Sequence, residues 1–188
     1  MGMKQTLDVI NAMETDGVIG CYAIAGAVAA YNYVAPTVTE DLDILVSFES
    51  PAATSRSGLI TLAPVLAWLK GKGYEEFRKE GVVIAGWAVQ FLPVADDLDA
   101  EALASAEQVD IRMSGDTVTT RVLRPEHLVA VALRVGRTKD FVRIAQFVEE
   151  KAVDIAALCA VLDRHRLRPL WSAFCVRSGI ADPCNLNR

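Results

Sequence analysis

Soft metal ligands are scarce in this 188-residue chain, which carries two histidines, His127 and His165, and four cysteines, Cys21, Cys159, Cys175 and Cys184. No two cysteines have CxxC spacing and neither histidine lies near a cysteine pair, so neither a zinc ribbon nor a disulfide framework is expected; the thiols read as incidental ones in a reducing cytosol. Long apolar runs are also missing. No stretch approaches the roughly 20 apolar residues of a membrane span. Polar residues interrupt the N-terminal MGMKQTLDVINAMETDG where a secretion signal needs an unbroken apolar stretch. Both absences point to a cytoplasmic protein that does not engage a membrane. Positive charge is in deficit, 19 Lys and Arg against 24 Asp and Glu for a net charge of -5. That balance excludes a histone-like coat for nucleic acid and leaves room only for a local basic patch.

Apolar side chains are plentiful at 52%, against 23% charged residues. Such a chain has enough surface to bury to offset its conformational entropy and is expected to fold without a partner. Its length fits one compact unit, or an α/β lobe with a small helical lobe appended. Leu7, Ile10 and Met13 recur at helical spacing up to Asp16-Gly17. Val18 to Ile24 reads as a buried strand, followed by the Gly26-Ala27 turn and an alanine-rich helix, Ala27 to Tyr33. Asp41 to Phe48 is a second strand, ended by Glu49-Ser50-Pro51. Leu62, Leu66 and Leu69 define a helical face that stops at Gly71 and Gly73. Tyr74 to Lys79 and Val82 to Leu92 give two or three strands. Asp97 to Ala106 reads as a helix with Leu98, Ala102 and Leu103 inward. Val109 to Met113 and Thr117 to Leu123 flank Ser114-Gly115-Asp116 as a hairpin. After Pro125 helical periodicity takes over, near 125–135, 138–150, 154–165 and 169–177. The predicted fold is α/β (α+β): a mixed twisted sheet with flanking helices over residues 1–123, then a C-terminal helical region over 124–188 packed on it.

Chemistry concentrates in Thr39-Glu40-Asp41-Leu42-Asp43. The strand period of two sends Asp41 and Asp43 to one face and Leu42 and Ile44 to the other. Adjacent like charges are unfavourable unless a cation sits between them, and a hard, oxygen-seeking ion such as Mg2+ suits two carboxylates. A solvated strand end is the competing account. Upstream, the turn at Gly26 separates a strand from a helix, where a missing side chain lets a phosphate approach backbone N–H groups; a glycine needed only for a tight turn is the plainer alternative.

Strand, glycine turn, helix, then Asp-x-Asp on the neighbouring strand resembles the polymerase-β-like nucleotidyltransferases, and most of all the small bacterial abortive-infection toxin-type (AbiEii-like) and minimal branch. Gly26-Ala27 and Thr37-Val38-Thr39-Glu40-Asp41-Leu42-Asp43 carry the resemblance, which extends to Ala132-Leu133-Arg134-Val135-Gly136-Arg137-Thr138-Lys139-Asp140 in the helical part. It implies a nucleotidyltransferase-type sheet and magnesium-dependent transfer of a nucleoside monophosphate from a nucleoside triphosphate to a hydroxyl acceptor: RNA, a protein or a small molecule. It also implies metal ligation by Asp41 and Asp43 and nucleotide contacts from Gly26, Ala27, Thr39, Arg137, Lys139 and Asp140. A toxin–antitoxin setting with a protein partner follows from the same branch. Three positions depart from the pattern. Ala27 lacks a serine hydroxyl, Thr37 stands where arginine is common, and the third carboxylate falls on Gln90 of Trp87-Ala88-Val89-Gln90-Phe91-Leu92-Pro93.

An amide cannot take a proton from an attacking hydroxyl and is a poorer metal ligand than a carboxylate. Either Asp110 or a member of the Asp96-Asp97-Asp99 cluster substitutes for it, or the chain is a catalytically degenerate nucleotide-binding module acting through a partner. The aspartate cluster also suits the start of a helix. The basic run Arg164-His165-Arg166-Leu167-Arg168 offers itself to a phosphate backbone, with a cation-rich helix C-terminus as the alternative.

Overall fold

The computed structural model describes residues 2–48, 61–113 and 116–185. Its centre is a mixed sheet of seven strands in the order β3-β4-β5-β2-β1-β7-β6, which is the predicted architecture. β1 (Tyr22–Ile24) runs antiparallel to β2 (Asp41–Val46). β2 lies parallel to β5 (Trp87–Pro93), pairing Asp41 with Ala88 and Asp43 with Gln90. β3 (Phe77–Arg78), β4 (Gly81–Ile84) and β5 form an antiparallel meander, while β6 (Glu107–Met113) and β7 (Asp116–Val122) form a hairpin joined in parallel to β1. The central turn of that hairpin, Ser114-Gly115, and the Glu49-Ser50-Pro51 strand end lie outside the described residues.

Eight helices among the described residues surround the sheet. α1 (Met3–Thr15) buries Leu7, Ile10 and Met13 as its spacing predicts. It is pinned to the sheet by Thr6 Oγ1 donating to Ile84 O at 2.8 Å and Asn11 Nδ2 donating to Thr119 O at 3.2 Å. α2 (Gly26–Ala30) follows β1, α3 (Ala63–Gly71) follows β2, and α4 (Asp97–Ala104) connects β5 to β6. α5 (Pro125–Val135), α6 (Thr138–Glu149), α7 (Ile155–Arg164) and α8 (Arg168–Ser178) form the C-terminal group. One apolar core runs through both parts, from Leu42, Ile44 and Val46 of the sheet to Phe147, Leu158 and Trp171 of the helices. No helix among the described residues is long and apolar enough to cross a membrane.

Three local expectations are corrected. The first strand begins at Tyr22, not Val18, because the N–H groups of Asp16, Val18 and Ile19 turn back to the last carbonyls of α1, at Ala12 and Met13; helix termination consumes them before pairing can start. On α3 the buried positions are Val65 and Leu69, while Leu66 is 37% exposed. Val65–Leu69 shares the four-residue spacing that Leu62–Leu66 also has, so spacing alone does not choose between them. Cys159 and Cys184 form a disulfide that ties the tail after α8 to α7. Their separation of 25 residues gives no spacing signal; the tail's return path brings them together.

Candidate functional site

Alternation along β2 buries Leu42 and Ile44 completely and leaves Asp41 and Asp43 partly exposed on the opposite face. The chain enters this strand through Thr39, whose hydroxyl donates to Asp41 O at 3.3 Å and accepts from Asp41 N–H at 3.4 Å. Thr39 therefore shapes the strand's start with the hydroxyl expected to meet nucleotide.

Gly26 sits at the other end of the motif with φ +60°. A Cβ built on it would lie 2.0 Å from Asp43 Oδ2 and 2.9 Å from Asp43 Cγ. The missing side chain thus makes room for the Asp43 carboxylate. The sequence expectation had a phosphate approaching there, and the structure gives that space to the protein's own acid. The same junction is stitched by Ala25 N–H donating to Asp43 O at 2.8 Å.

Burial pushes the Asp43 carboxyl above its usual range, opposed by the positive charges of Lys139, Arg137 and Arg143 and reinforced by Asp41. These cations arrive on α6 as a fixed group. Asp140 is buried and forms a capping box with Arg137: its Oδ2 accepts from Arg137 N–H at 3.2 Å and Arg137 Nε at 2.8 Å, and Arg143 Nη1 lies 3.8 Å from Oδ1. Asp140, expected to meet nucleotide, has its oxygens engaged within the chain and orients the arginines instead. A small cavity of about 80 Å3 is lined by Gly26, Asp43, Arg137 and Arg143 together with apolar residues such as Leu92 and Val131. Beside it, a pocket of about 300 Å3 brings together Ala27, Thr39, Lys139 and Arg143. Of the site residues expected from the sequence, Gly26, Asp43, Arg137 and Asp140 thus line the first of these spaces and Ala27, Thr39 and Lys139 the second, with Arg143 shared by both.

Register places Gln90 next to Asp43 on the adjoining parallel strand, so both side chains leave the same face of the sheet. Neither proposed substitute for the third acid reaches them. Asp110 is on β6 at the far edge of the sheet, accepting from Thr119 Oγ1 at 2.7 Å. Asp96 caps α4 by accepting from Asp99 N–H at 2.9 Å, and both Asp96 and Asp99 ion-pair with Arg134. The carboxylate that sequence reasoning missed is Glu80, whose Oε2 accepts from Gln90 Nε2 at 2.8 Å. Next to it, Lys79 Nζ stands 3.4 Å from Asp41 Oδ2 and 3.9 Å from Glu40 Oε2. Both come from the turn between β3 and β4, which has no motif of its own.

The donor set suits a hard divalent cation. Asp41 and Asp43 offer oxygen only, and Lys79 already answers the negative charge at Asp41 with a positive one. No group of three histidine, cysteine, aspartate or glutamate side chains gathers for a metal among the described residues. A pair of carboxylates is nonetheless what Mg2+ takes where phosphates and waters complete its shell.

Three side chains of the basic run are engaged within the chain. Arg164 and His165 both donate to Glu101, the latter at 2.7 Å, and His127 Nε2 reaches the same carboxylate at 3.1 Å. Arg168 pairs with Asp163 at 2.7 Å. Arg164 and His165 close α7, as the helix C-terminus account has it, whereas Arg168 opens α8.

No protein-family model matches the chain, and no curated protein matches it in sequence. Solved structures do resemble it. An antigenic nucleotidyltransferase-like protein from Paracoccidioides brasiliensis aligns over 90% of this chain and 89% of its own at 14% identity, with a TM-score of 0.46. ANT(2'')-Ia in complex with adenylyl-2''-tobramycin aligns over 92% and 98% at 16% identity, with a TM-score of 0.41. The solution structure of the antibiotic-resistance factor ANT(2'')-Ia aligns over 94% and 95% at 17% identity, with a TM-score of 0.42.

Proposed function

We propose that this chain is a nucleotidyltransferase-like protein of the polymerase-β-like type, which binds a nucleoside triphosphate with Mg2+ and transfers its nucleoside monophosphate to a hydroxyl acceptor. The observation that carries this reading is the Asp41–Asp43 pair on one face of β2, with Gly26 packed against Asp43 and the α6 cations facing it. Asp41 and Asp43 would hold the metal. The chemistry such an ion supplies when bound is neutralisation of phosphate charge and alignment of the in-line attack. The chain's own groups do the rest. Lys139, exposed, and Arg143, partly buried, line the pocket beside Ala27 and Thr39 and would meet the anionic phosphates, and arginine adds bidentate hydrogen bonding. Asp140 keeps Arg137 and Arg143 oriented before any ligand arrives.

A second reading, a nucleotide-binding module acting through a protein partner in a toxin–antitoxin pair, is favoured by one observation: an amide, Gln90, stands next to Asp43. Calorimetric titration with ATP, GTP, CTP and UTP, each with and without Mg2+, tests the shared part. Magnesium-dependent binding supports both readings, and its absence with all four refutes them. Release of pyrophosphate separates the first reading from the second.

A further inference from the structure

The turn between β3 and β4 is held over the site by contacts that its sequence does not advertise. Gly81 lets the meander close on β5: a Cβ there would meet Ala88 C at 2.9 Å and Val89 N at 3.0 Å, both backbone atoms that cannot yield. Lys79 takes the left-handed conformation, φ +55°, which reverses the chain within two residues. The result is that consecutive side chains of one turn reach two neighbouring strands. Lys79 pairs with Asp41 on β2, and Glu80 is gripped by Gln90 on β5. Because Gln90 is in register with Asp43, Glu80 is held over the row that contains the metal-binding pair. Arg137 feels the negative charges of Asp140, Asp43 and Glu80 alike.

We propose that Glu80 is the proton acceptor of this site and that Gln90 is its positioning residue, the amide holding from the strand a carboxylate that a turn delivers. The inference rests on the nucleotidyl-transfer reading above. Gln90 Nε2 donates to one oxygen of Glu80, and the other oxygen is left to accept a proton. In the transfer step the acceptor's hydroxyl oxygen forms a bond to the α-phosphorus as its proton passes to Glu80. The bond from that phosphorus to the bridging oxygen breaks, pyrophosphate leaves with the electron pair, and Glu80 later returns the proton to water. On this account the amide at position 90 does not mark a degenerate site, since the base has moved from the strand to the turn that covers it.

The test uses the full chain with Mg2+ and each of the four nucleoside triphosphates labelled at the α-phosphate. It counts nucleoside monophosphate released to water and label transferred to the protein's own hydroxyls, so no natural acceptor is needed. Glu80 is exposed, so Glu80→Gln should fold normally, with unchanged melting temperature as the check. Its expected signature is nucleotide affinity within about twofold of the parent with turnover reduced by about 10²–10⁴-fold, the usual contribution of a general base, and loss of the acidic limb of the pH–rate profile. Gln90→Ala should keep that limb while lowering the rate. The exchange Glu80→Gln with Gln90→Glu should recover part of the activity by returning a carboxylate to the same place.

Three results overturn the proposal: unchanged turnover in Glu80→Gln, lost nucleotide affinity in Glu80→Gln, or a parent protein that binds nucleotide without any turnover. If the parent binds no nucleotide at all, the failure belongs to the nucleotidyl-transfer reading and removes this inference with it.

Discussion

Replacing Gly26 by alanine asks most directly whether this glycine serves Asp43. Two costs are separable. The first is backbone: at φ +60° a Cβ crowds its own chain, a penalty of about 1–2 kcal/mol for an L-residue in the left-handed region. The second is the approach of Asp43 Oδ2 to 2.0 Å from the new carbon, with Cγ at 2.9 Å, which no real contact tolerates. The carboxylate must swing away, and the proposed cation site would lose one of its two carboxylate ligands. For a chain of this length each kcal/mol lowers the melting temperature by roughly 2–4 °C, so the backbone cost alone predicts a fall of about 2–8 °C. Nucleotide affinity in Mg2+ should fall by about tenfold or more, as expected when a ligand is misplaced by an ångström.

Differential scanning fluorimetry in metal-free buffer and calorimetry with Mg2+ and nucleotide measure the two effects. A double-mutant cycle isolates them. In an Asp43→Ala background the clash with Oδ2 and Cγ disappears and only the approach to the Cβ of residue 43, at 3.2 Å, is left, so Gly26→Ala should then cost clearly less, close to the backbone penalty. An equal loss of stability in both backgrounds would refute the packing argument, since Asp43 would not feel the added methyl. Unchanged stability together with unchanged affinity would refute the local geometry altogether.

Asp43→Asn should raise thermal stability in metal-free buffer at neutral pH while abolishing magnesium-dependent nucleotide binding. The sign follows from burial, which raises the folded-state pKa of Asp43 above its ordinary value of 3.8, against the pull of Lys139, Arg137 and Arg143. The native state thus holds this proton more tightly than the unfolded one and loses stability as pH rises past that value, so the asparagine's advantage should vanish in acid. A variant less stable than the parent at neutral pH would sink the argument. Glu101→Ala should cost about 1–3 kcal/mol, because Arg164, His165 and His127 lose their shared acceptor. Those hydrogen bonds, above all that of Arg164, hold the Glu101 carboxyl down at about 2 from an ordinary 4.5. Its contribution should therefore be complete above 4.5 and decline as pH falls through about 2, seen as convergence of parent and variant melting curves in acid.

The order of elements was legible where periodicity was strong. α5 spans Pro125–Val135 as the sequence predicts, because proline fixes its first turn and Gly136 accepts the left-handed φ that ends it. Asp41, Asp43 and Gln90 were legible as a row because a strand's period of two leaves no choice of face once β2 and β5 are neighbours. Glu80 was not. Its place depends on a two-residue reversal through Lys79 and on the close approach of Gly81 to β5, neither of which leaves a pattern in the chain. The role of Gly26 was half legible: the turn could be seen, whereas the atom filling the space beside it comes from a strand 17 residues later and is set by tertiary packing. For Asp140, acid near arginine looked like a ligand contact, and the capping box at the start of α6 turned it into an internal one.

The site's distribution along the chain also fixes when it can exist. Gly26, Asp43, Glu80, Gln90, Lys139 and Arg143 span most of the sequence, and β1 and β7 pair although they lie nearly a hundred residues apart. Local elements such as α1 or the β6–β7 hairpin can form while the chain is still emerging, but long-range pairings are slow to close and come late. Until α6 docks, Asp41 and Asp43 have Lys79 beside them but not Arg137, Lys139 and Arg143, so a nascent or truncated chain carries the acidic pair without the cations proposed to meet a triphosphate. Under the proposed function, nucleotide capture is consequently a property of the finished molecule. In a refolding experiment its recovery should trail secondary structure and coincide with burial of Phe147 and the docking of the last helices.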